Sequence, residues 1–279
     1  MSTIVPPITF RASAPFAVAQ PQLGPLAELP GTWMGGGYNM IFLPDKEDNR
    51  VFRVMLNATR EILSFAPIGA PIPNRGSAQN DIFFVGLHYL QQVNDAVTNG
   101  ALHLEPGLWL NVPATTAPQE PPTVVRLATI PHGDSVLAQG QAFTVPGAPQ
   151  INSVSPIPTG PGVDRPGYLD PYLTAPLPPG VPAGAKQNPN VVLTQAIQDQ
   201  KIVNTVVLQV STTTQGGIVN IPFVVVNANA TKMNATFWVE TVQPPTGAPF
   251  LQLQYTQTVI LEFLGISWPH ISVATLVKR

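Results

Sequence analysis

The chain has 279 residues, of which 44% are hydrophobic and only 10% are charged, with a formal net charge of −2. This composition can fill a large core, argues against disorder of the whole chain, and offers no basic field for nucleic acid or an anionic membrane. Because there is no cysteine, disulfides, iron–sulfur clusters, thiolate-ligated haem and cysteine nucleophiles are excluded.

The first 21 residues carry no strand or helix pattern, and we expect them to form an extended arm ahead of a single domain over 22–279. This arm lacks the charged and apolar regions of a signal peptide. No apolar run in the chain reaches the roughly 20 residues that a membrane helix needs. We therefore expect a cytoplasmic protein that does not enter a membrane.

Most of the chain has the pattern of an all-β protein, because Val, Ile, Thr and aromatic residues dominate and turn residues recur at short intervals. A short helix is predicted at 22–29, just before Pro30, and another around 194–200. The length fits one β-barrel or sandwich. The predicted strands are 38–44, 51–57, 60–66, 81–93, 101–112, 123–130, 134–145, 201–214, 218–227, 235–243, 251–264 and 270–277.

The segment 146–200 interrupts this series of strands. It contains many of the 33 prolines of the chain, and proline cannot donate to the ladder of a central strand. A linker, a lid or an interface arm are the alternatives. Because the segment has few charges and contains Tyr168, Tyr172 and Leu173, we favour a loop that packs on the rest of the protein.

Of the four histidines, His270 is the strongest candidate for a functional residue. The residues after Pro269 alternate as in a half-buried strand, so His270, Ser272 and Ala274 share one face. An imidazole with small neighbours has space beside it and suits an axial ligand for a flat cofactor, since neutral imidazole binds iron well. The alternative is a structural histidine bonded to a backbone carbonyl at a barrel end.

A second candidate pair, His103 and Glu105, lies on one face of the predicted strand 101–112, and Trp109 joins this face if the register continues. The pair could contribute to a metal site or act as an acid and base, or it could be a structural ion pair. A non-haem metal site usually needs three or more ligands. His88 is interpreted as structural, and His132 as a solvated residue in a turn.

Several segments together resemble the nitrobindin family. A short predicted helix and a Gly-Thr-Trp start of the first strand are followed by a His-x-Glu-x-Gly-aromatic segment, a hairpin, and a C-terminal segment similar to Pro-His-Leu-x-Ala-x-Leu. The resemblance covers roughly 22–145 and 225–279 and leaves the Pro-rich insert without a counterpart. The matching segments are 31–37, 102–109, 123–140, 227–230 and 269–276.

The resemblance implies an antiparallel, closed, calycin-like β-barrel that binds one haem b. It further implies His270 as the proximal iron ligand, with His103, Leu102, Thr32 and Trp33 as further cofactor contacts. The family binds nitric oxide at ferric haem and isomerises peroxynitrite to nitrate, so a haem-dependent enzyme of this kind is the expected function.

This chain departs from the family pattern in three places. Leu102 stands where some relatives have Met, His132 adds an imidazole near the predicted pocket, and the insert 146–200 could cover the haem edge or fill the pocket. Two other functions therefore stay open: a haem-free carrier of a small apolar ligand, and a structural β-rich assembly protein. A homodimer is compatible with each of them.

Overall fold

Ten long strands close into one antiparallel barrel in the computed structural model, which describes residues 20–279. The predicted arm over 1–21 lies outside the described residues except for its last two. The strands are β1 (Gly31–Asp45), β2 (Arg50–Pro67), β3 (Ile72–Asn74), β4 (Ile82–Asp95), β5 (Ala101–Val112), β6 (Thr115–Thr116), β7 (Gln119–Glu120), β8 (Thr123–Ile130), β9 (Asp134–Pro146), β10 (Ile202–Asn220), β11 (Asn229–Val242), β12 (Phe250–Phe263) and β13 (Ile266–Lys278).

Around the barrel the order is β1, β13, β12, β11, β10, β9, β8, β5, β4 and β2, and the pairing of β2 with β1 completes the ring. The short β3 adds to one end of β4, and β6 and β7 form a separate hairpin. The predicted all-β, closed antiparallel barrel is therefore confirmed.

The helices are short and lie outside the barrel wall or at its ends. They are α1 (Asp170–Thr174), α2 (Val191–Ile197) and α3 (Pro222–Asn227), with 3-10 turns at Gln20–Gln22, Gly24–Leu26 and Ala183–Lys186. Within residues 20–279, no helix has the length and apolar character needed to cross a membrane.

One end of the barrel is plugged by the chain that precedes β1. Leu26 and Leu29 are fully buried against Trp33, and the Trp33 indole donates a hydrogen bond to the Leu29 carbonyl over 2.7 Å. The predicted helix at 22–29 is instead a pair of tight turns, because Gly24 has a positive φ of 55°, which interrupts a helix.

The Pro-rich insert packs on the outer wall of the barrel. Its Tyr172 is fully buried against Phe42 of β1, with ring centroids 5.2 Å apart, and its Leu193 is buried in the same outer-wall core. The Tyr172 hydroxyl also donates to the carbonyl of Lys186 within the insert. The predicted packed loop is confirmed.

One predicted strand is partly wrong. The strand expected over 218–227 continues only to the end of β10 at Asn220, and the residues after it form α3. Pro222 occupies the first turn of α3, where its fixed φ favours a helix and its missing N–H costs nothing. The β-branched run that follows therefore forms a helix at the barrel end, where it makes only slight contact with the strands.

Candidate functional site

The end of the barrel opposite the plug contains a cavity of about 530 Å³, within the range of roughly 300–1,000 Å³ that small-molecule sites occupy. Much of its wall is apolar, with Ile41, Leu102 and Val259 among the lining residues, and Phe223 and Val224 of α3 lie at its edge. Its polar lining consists of Asn39, Thr59, Glu61, Gln91, His103, Glu105, Arg126, His132, Asp134, Tyr255, Gln257, His270 and Ser272.

Three of the four histidines line this cavity. His270 projects from β13, whereas His103 comes from β5 and His132 from the turn after β8. Five strands separate β13 from β5 in one direction around the barrel and three in the other, so His270 faces the other two across the interior. The His103 and His132 rings are 6.2 Å apart. His88 is exposed on the outside.

His270 is held at the cavity wall by Asn39, which lies on the neighbouring strand β1. The His270 Nε2 atom and the Asn39 Oδ1 atom are 2.8 Å apart, and the Ser272 hydroxyl donates to the same Oδ1 over 3.0 Å. Burial, with the nearby His103 and His132 imidazoles, lowers the pKa of His270 to about 3. The ring is therefore neutral at physiological pH, the form in which histidine binds metals.

The predicted pair of His103 and Glu105 is confirmed, with 3.1 Å between His103 Nε2 and Glu105 Oε2. Glu105 is also bound by Arg126, whose Nη2 lies 2.5 Å from Glu105 Oε1, and by the Tyr89 hydroxyl. Burial would raise the pKa of Glu105, but Arg126, His103 and Tyr89 outweigh it and lower this pKa to about 2. The carboxylate is thus ionised and satisfied, which makes it an anchor for His103.

Arg126 itself is buried at the cavity wall. Its Nε donates to the Tyr89 hydroxyl over 3.0 Å, its Nη1 donates to Gln257, and its guanidinium lies 5.2 Å from the centre of the Phe237 ring. The predicted inward position of Trp109 holds as well, because Arg126 lies over the Trp109 ring. A buried ion pair in which each guanidinium nitrogen makes a hydrogen bond gives the cavity a rigid floor.

A second buried carboxyl, Glu61, was not predicted from the sequence. Its oxygens accept hydrogen bonds from Tyr255 over 2.7 Å, Thr59 over 2.8 Å and Gln91 over 3.3 Å. Burial raises the pKa of Glu61, although these three hydrogen bonds and His103 oppose the shift. The alternation of Thr59, Glu61, Leu63 and Phe65 along β2 was the available signal, since it places Glu61 on the inward face.

Two of the predicted cofactor contacts lie elsewhere. Leu102 lines the cavity, but Thr32 and Trp33 lie at the plugged end, where Thr32 bonds Ser64 and Trp33 is buried in the core. The physical reason is the length of β1, whose first residues lie at one end of the barrel while Asn39 lies near the other. No residue of 146–200 lines the cavity, so the insert does not cover it.

The histidines and carboxylates of this cavity do not form a self-sufficient metal site. Among residues 20–279, no three or more His, Asp or Glu side chains are grouped so that they could hold a metal ion. Iron in haem, by contrast, takes four ligands from the porphyrin and needs only an axial one from the protein. The donors described here are therefore too few to hold a bare metal ion through protein ligands alone.

Comparison with known proteins assigns this chain to no family. No protein-family model matches the chain, and no curated protein matches it. Among solved structures, it is similar to Rv2717c from M. tuberculosis, with a TM-score of 0.47 and 16% identity over 93% of this chain and 98% of that one. The fold assignment consequently rests on the strand pairing described above.

Proposed function

We propose that the cavity binds one haem b, with His270 as the axial iron ligand. The observation that supports this most directly is the state of His270: a neutral imidazole at the wall of a largely apolar cavity, held by the amide of Asn39. A metal-ligating histidine typically has its second ring nitrogen hydrogen-bonded in this way, which fixes the ring and its tautomer.

The opposite wall supports the same proposal. His103 is fixed by the ionised Glu105 and stands near His132, so imidazole groups face the region across from His270. Haem, when bound, supplies an iron position open to a small ligand such as nitric oxide or peroxynitrite. His103 would hydrogen-bond such a ligand, and the apolar walls would limit the access of water to it.

A hemin titration of the purified protein tests this proposal. We expect a sharp Soret band that saturates at one hemin per chain, and we expect His270→Ala to lose or broaden it. His88→Ala is the matched control, because His88 is exposed on the outer wall, and it should behave as the wild type does. Identical spectra for the wild type and His270→Ala would refute axial ligation by His270.

A second candidate function is that of a haem-free carrier of a small apolar ligand. It is favoured by the apolar walls and by the Asn39 contact, which already satisfies His270 Nε2 without any cofactor. Native mass spectrometry of protein as purified separates the two candidates. A retained organic ligand that hemin does not displace would support the carrier, whereas release of that ligand by stoichiometric hemin would support the haem protein.

A further inference from the structure

One side-chain oxygen at the cavity wall receives two hydrogen bonds. Asn39 on β1 is the direct cross-strand partner of Ser272 on β13, and His270 lies two residues earlier on the same face. Asn39 Oδ1 is 2.8 Å from His270 Nε2 and 3.0 Å from Ser272 Oγ, whereas Nε2 and Oγ are 3.5 Å apart. The short contacts thus converge on the amide oxygen.

The chemistry of these groups fixes the position of a proton. An amide oxygen can only accept, so both the Ser272 hydroxyl and His270 Nε2 must donate to it. A neutral imidazole has a single N–H, which places the proton on Nε2 and leaves the lone pair on Nδ1. Within residues 20–279, no group makes a hydrogen bond with Nδ1. The Nδ1 atom keeps some exposed surface, and His270 lines the cavity. This nitrogen is therefore open to the cavity.

We propose that Asn39 is a positioning residue, which holds His270 as the Nε2–H tautomer and makes Nδ1 the ring atom that meets a ligand in the cavity. Which ring nitrogen carries the proton is set by the hydrogen bond that the ring makes. A bare lone pair at Nδ1 selects ligands that bring a metal centre or a hydrogen-bond donor to this wall. A ligand with only acceptor atoms at that end is disfavoured.

The consequence for ligand choice rests on the proposed function. The tautomer of His270 does not depend on haem, so the tautomer is measured on haem-free protein. Long-range ¹H–¹⁵N correlation spectra of ¹⁵N-labelled protein report which ring nitrogen is protonated, and His270→Ala identifies the His270 signals by their loss. We expect the wild type to show an Nε2–H proton that is protected from exchange with water. Protonation at Nδ1 instead would overturn the proposal, because Asn39 would then present its NH₂ group to the ring.

Three variants separate positioning from a merely structural role. Asn39→Leu removes the acceptor and should lose the protected proton, whereas Asn39→Asp keeps an acceptor and should retain it. Ser272→Ala removes only the second donor, so it should also retain the protected proton. A protected Nε2–H in Asn39→Leu would show that Asn39 does not position the ring. Thermal unfolding of each variant confirms that it is folded.

Hemin binding then connects the tautomer to the ligand. If haem is the ligand, Asn39→Leu should bind it roughly 10–100-fold more weakly, as is typical when the group that orients a metal-ligating histidine is removed. A protected Nε2–H without any hemin binding in the wild type would refute the haem proposal and leave the positioning role standing. Equal hemin affinity in the wild type and Asn39→Leu would refute the link between tautomer and ligand.

Discussion

At the scale of single residues, Glu240 is the buried carboxyl with the clearest consequence for stability. It is fully buried on β11, where the Gln252 amide donates to its Oε2 over 2.7 Å, while its Oε1 has no partner among the described residues. Gln252 in turn exchanges hydrogen bonds with Gln200 at the end of the insert. Burial raises the pKa of Glu240 to about 7, although the Gln252 hydrogen bond opposes the shift.

This raised pKa predicts a pH-dependent free energy of unfolding. The unfolded chain releases the Glu240 proton near pH 4.5, whereas the folded protein keeps it to about pH 7. The contribution of Glu240 to stability is therefore fully present below pH 4.5 and is lost as pH rises through this window, by up to about 3 kcal/mol. Glu240→Gln should remove this contribution, so the free energy of unfolding of the wild type relative to the variant should fall over this window in urea unfolding measured between pH 4 and 8.

The matched control for the pH profile is Glu47→Gln, at an exposed position, which removes the same negative charge without touching the buried site. It should follow the wild-type profile. If the free energies of unfolding of Glu240→Gln and the wild type change in parallel between pH 4.5 and 7, the buried Glu240 carboxyl does not make this contribution.

At the scale of the elements, the sequence predicts most strands but misplaces the start of the first. β1 begins at Gly31, seven residues before the predicted 38, and it continues through Gly35, Gly36 and Gly37, a residue type that is rare in strands. A glycine is required at position 37 because β1 and β13 approach each other closely there. A Cβ on Gly37 would lie 1.9 Å from the Val273 carbonyl oxygen on β13. A glycine that allows two backbones to approach has no local signature that separates it from a turn glycine.

The candidate site shows the same division between local and long-range information. Alternation along β13 predicts that His270 and Ser272 share a face, and this holds because a period of two is a local property. The partner of both, Asn39, lies more than 230 residues away. Only the pairing of β1 with β13 brings it there, and one sequence does not state which strands pair.

The element with the clearest functional prediction is α3, at the edge of the cavity. Phe223 lines the cavity although its side chain is 72% exposed, and the short helix packs only slightly against β10 and β11. If haem binds as proposed, Phe223 will contact it and slow its escape. Phe223→Ser should release hemin about tenfold faster, for a lost contact of about 1.4 kcal/mol, measured by transfer to an excess of an acceptor haem protein.

Val225→Ser is the control for this measurement, because Val225 is also exposed on α3 but does not line the cavity. Its release rate should stay within about twofold of the wild type, since surface substitutions usually change free energies by less than about 0.5 kcal/mol. Equal acceleration by both variants would mean that α3 acts as a whole and that Phe223 makes no specific contact.

At the scale of the whole molecule, the barrel is stabilised by two apolar cores that share its strands. The inner core fills the plugged end around Trp33 and Trp109, and the outer core lies between the wall and the insert around Trp268 and Tyr172. Because side chains alternate along each strand, the residues next to the cavity-facing His270 are buried on the opposite face. The insert thus stabilises the wall that carries the candidate ligand without reaching the cavity.

Because the outer core is separate from the cavity, we predict that a substitution in the insert lowers the stability of the protein without removing the ligand site. Tyr172→Ala removes a fully buried ring that packs on Phe42 and donates to Lys186, so the free energy of unfolding should fall by about 3–5 kcal/mol. The adjacent Leu173→Ala, at a side chain that is 55% exposed, should change the free energy of unfolding by less than about 0.5 kcal/mol.

Limited proteolysis should cleave the Tyr172→Ala variant faster within 146–200. The hemin stoichiometry of this variant, measured under conditions in which it is folded, should stay that of the wild type. A folded Tyr172→Ala variant that no longer takes up hemin, beside a wild type that does, would show that the insert shapes the cavity through the wall.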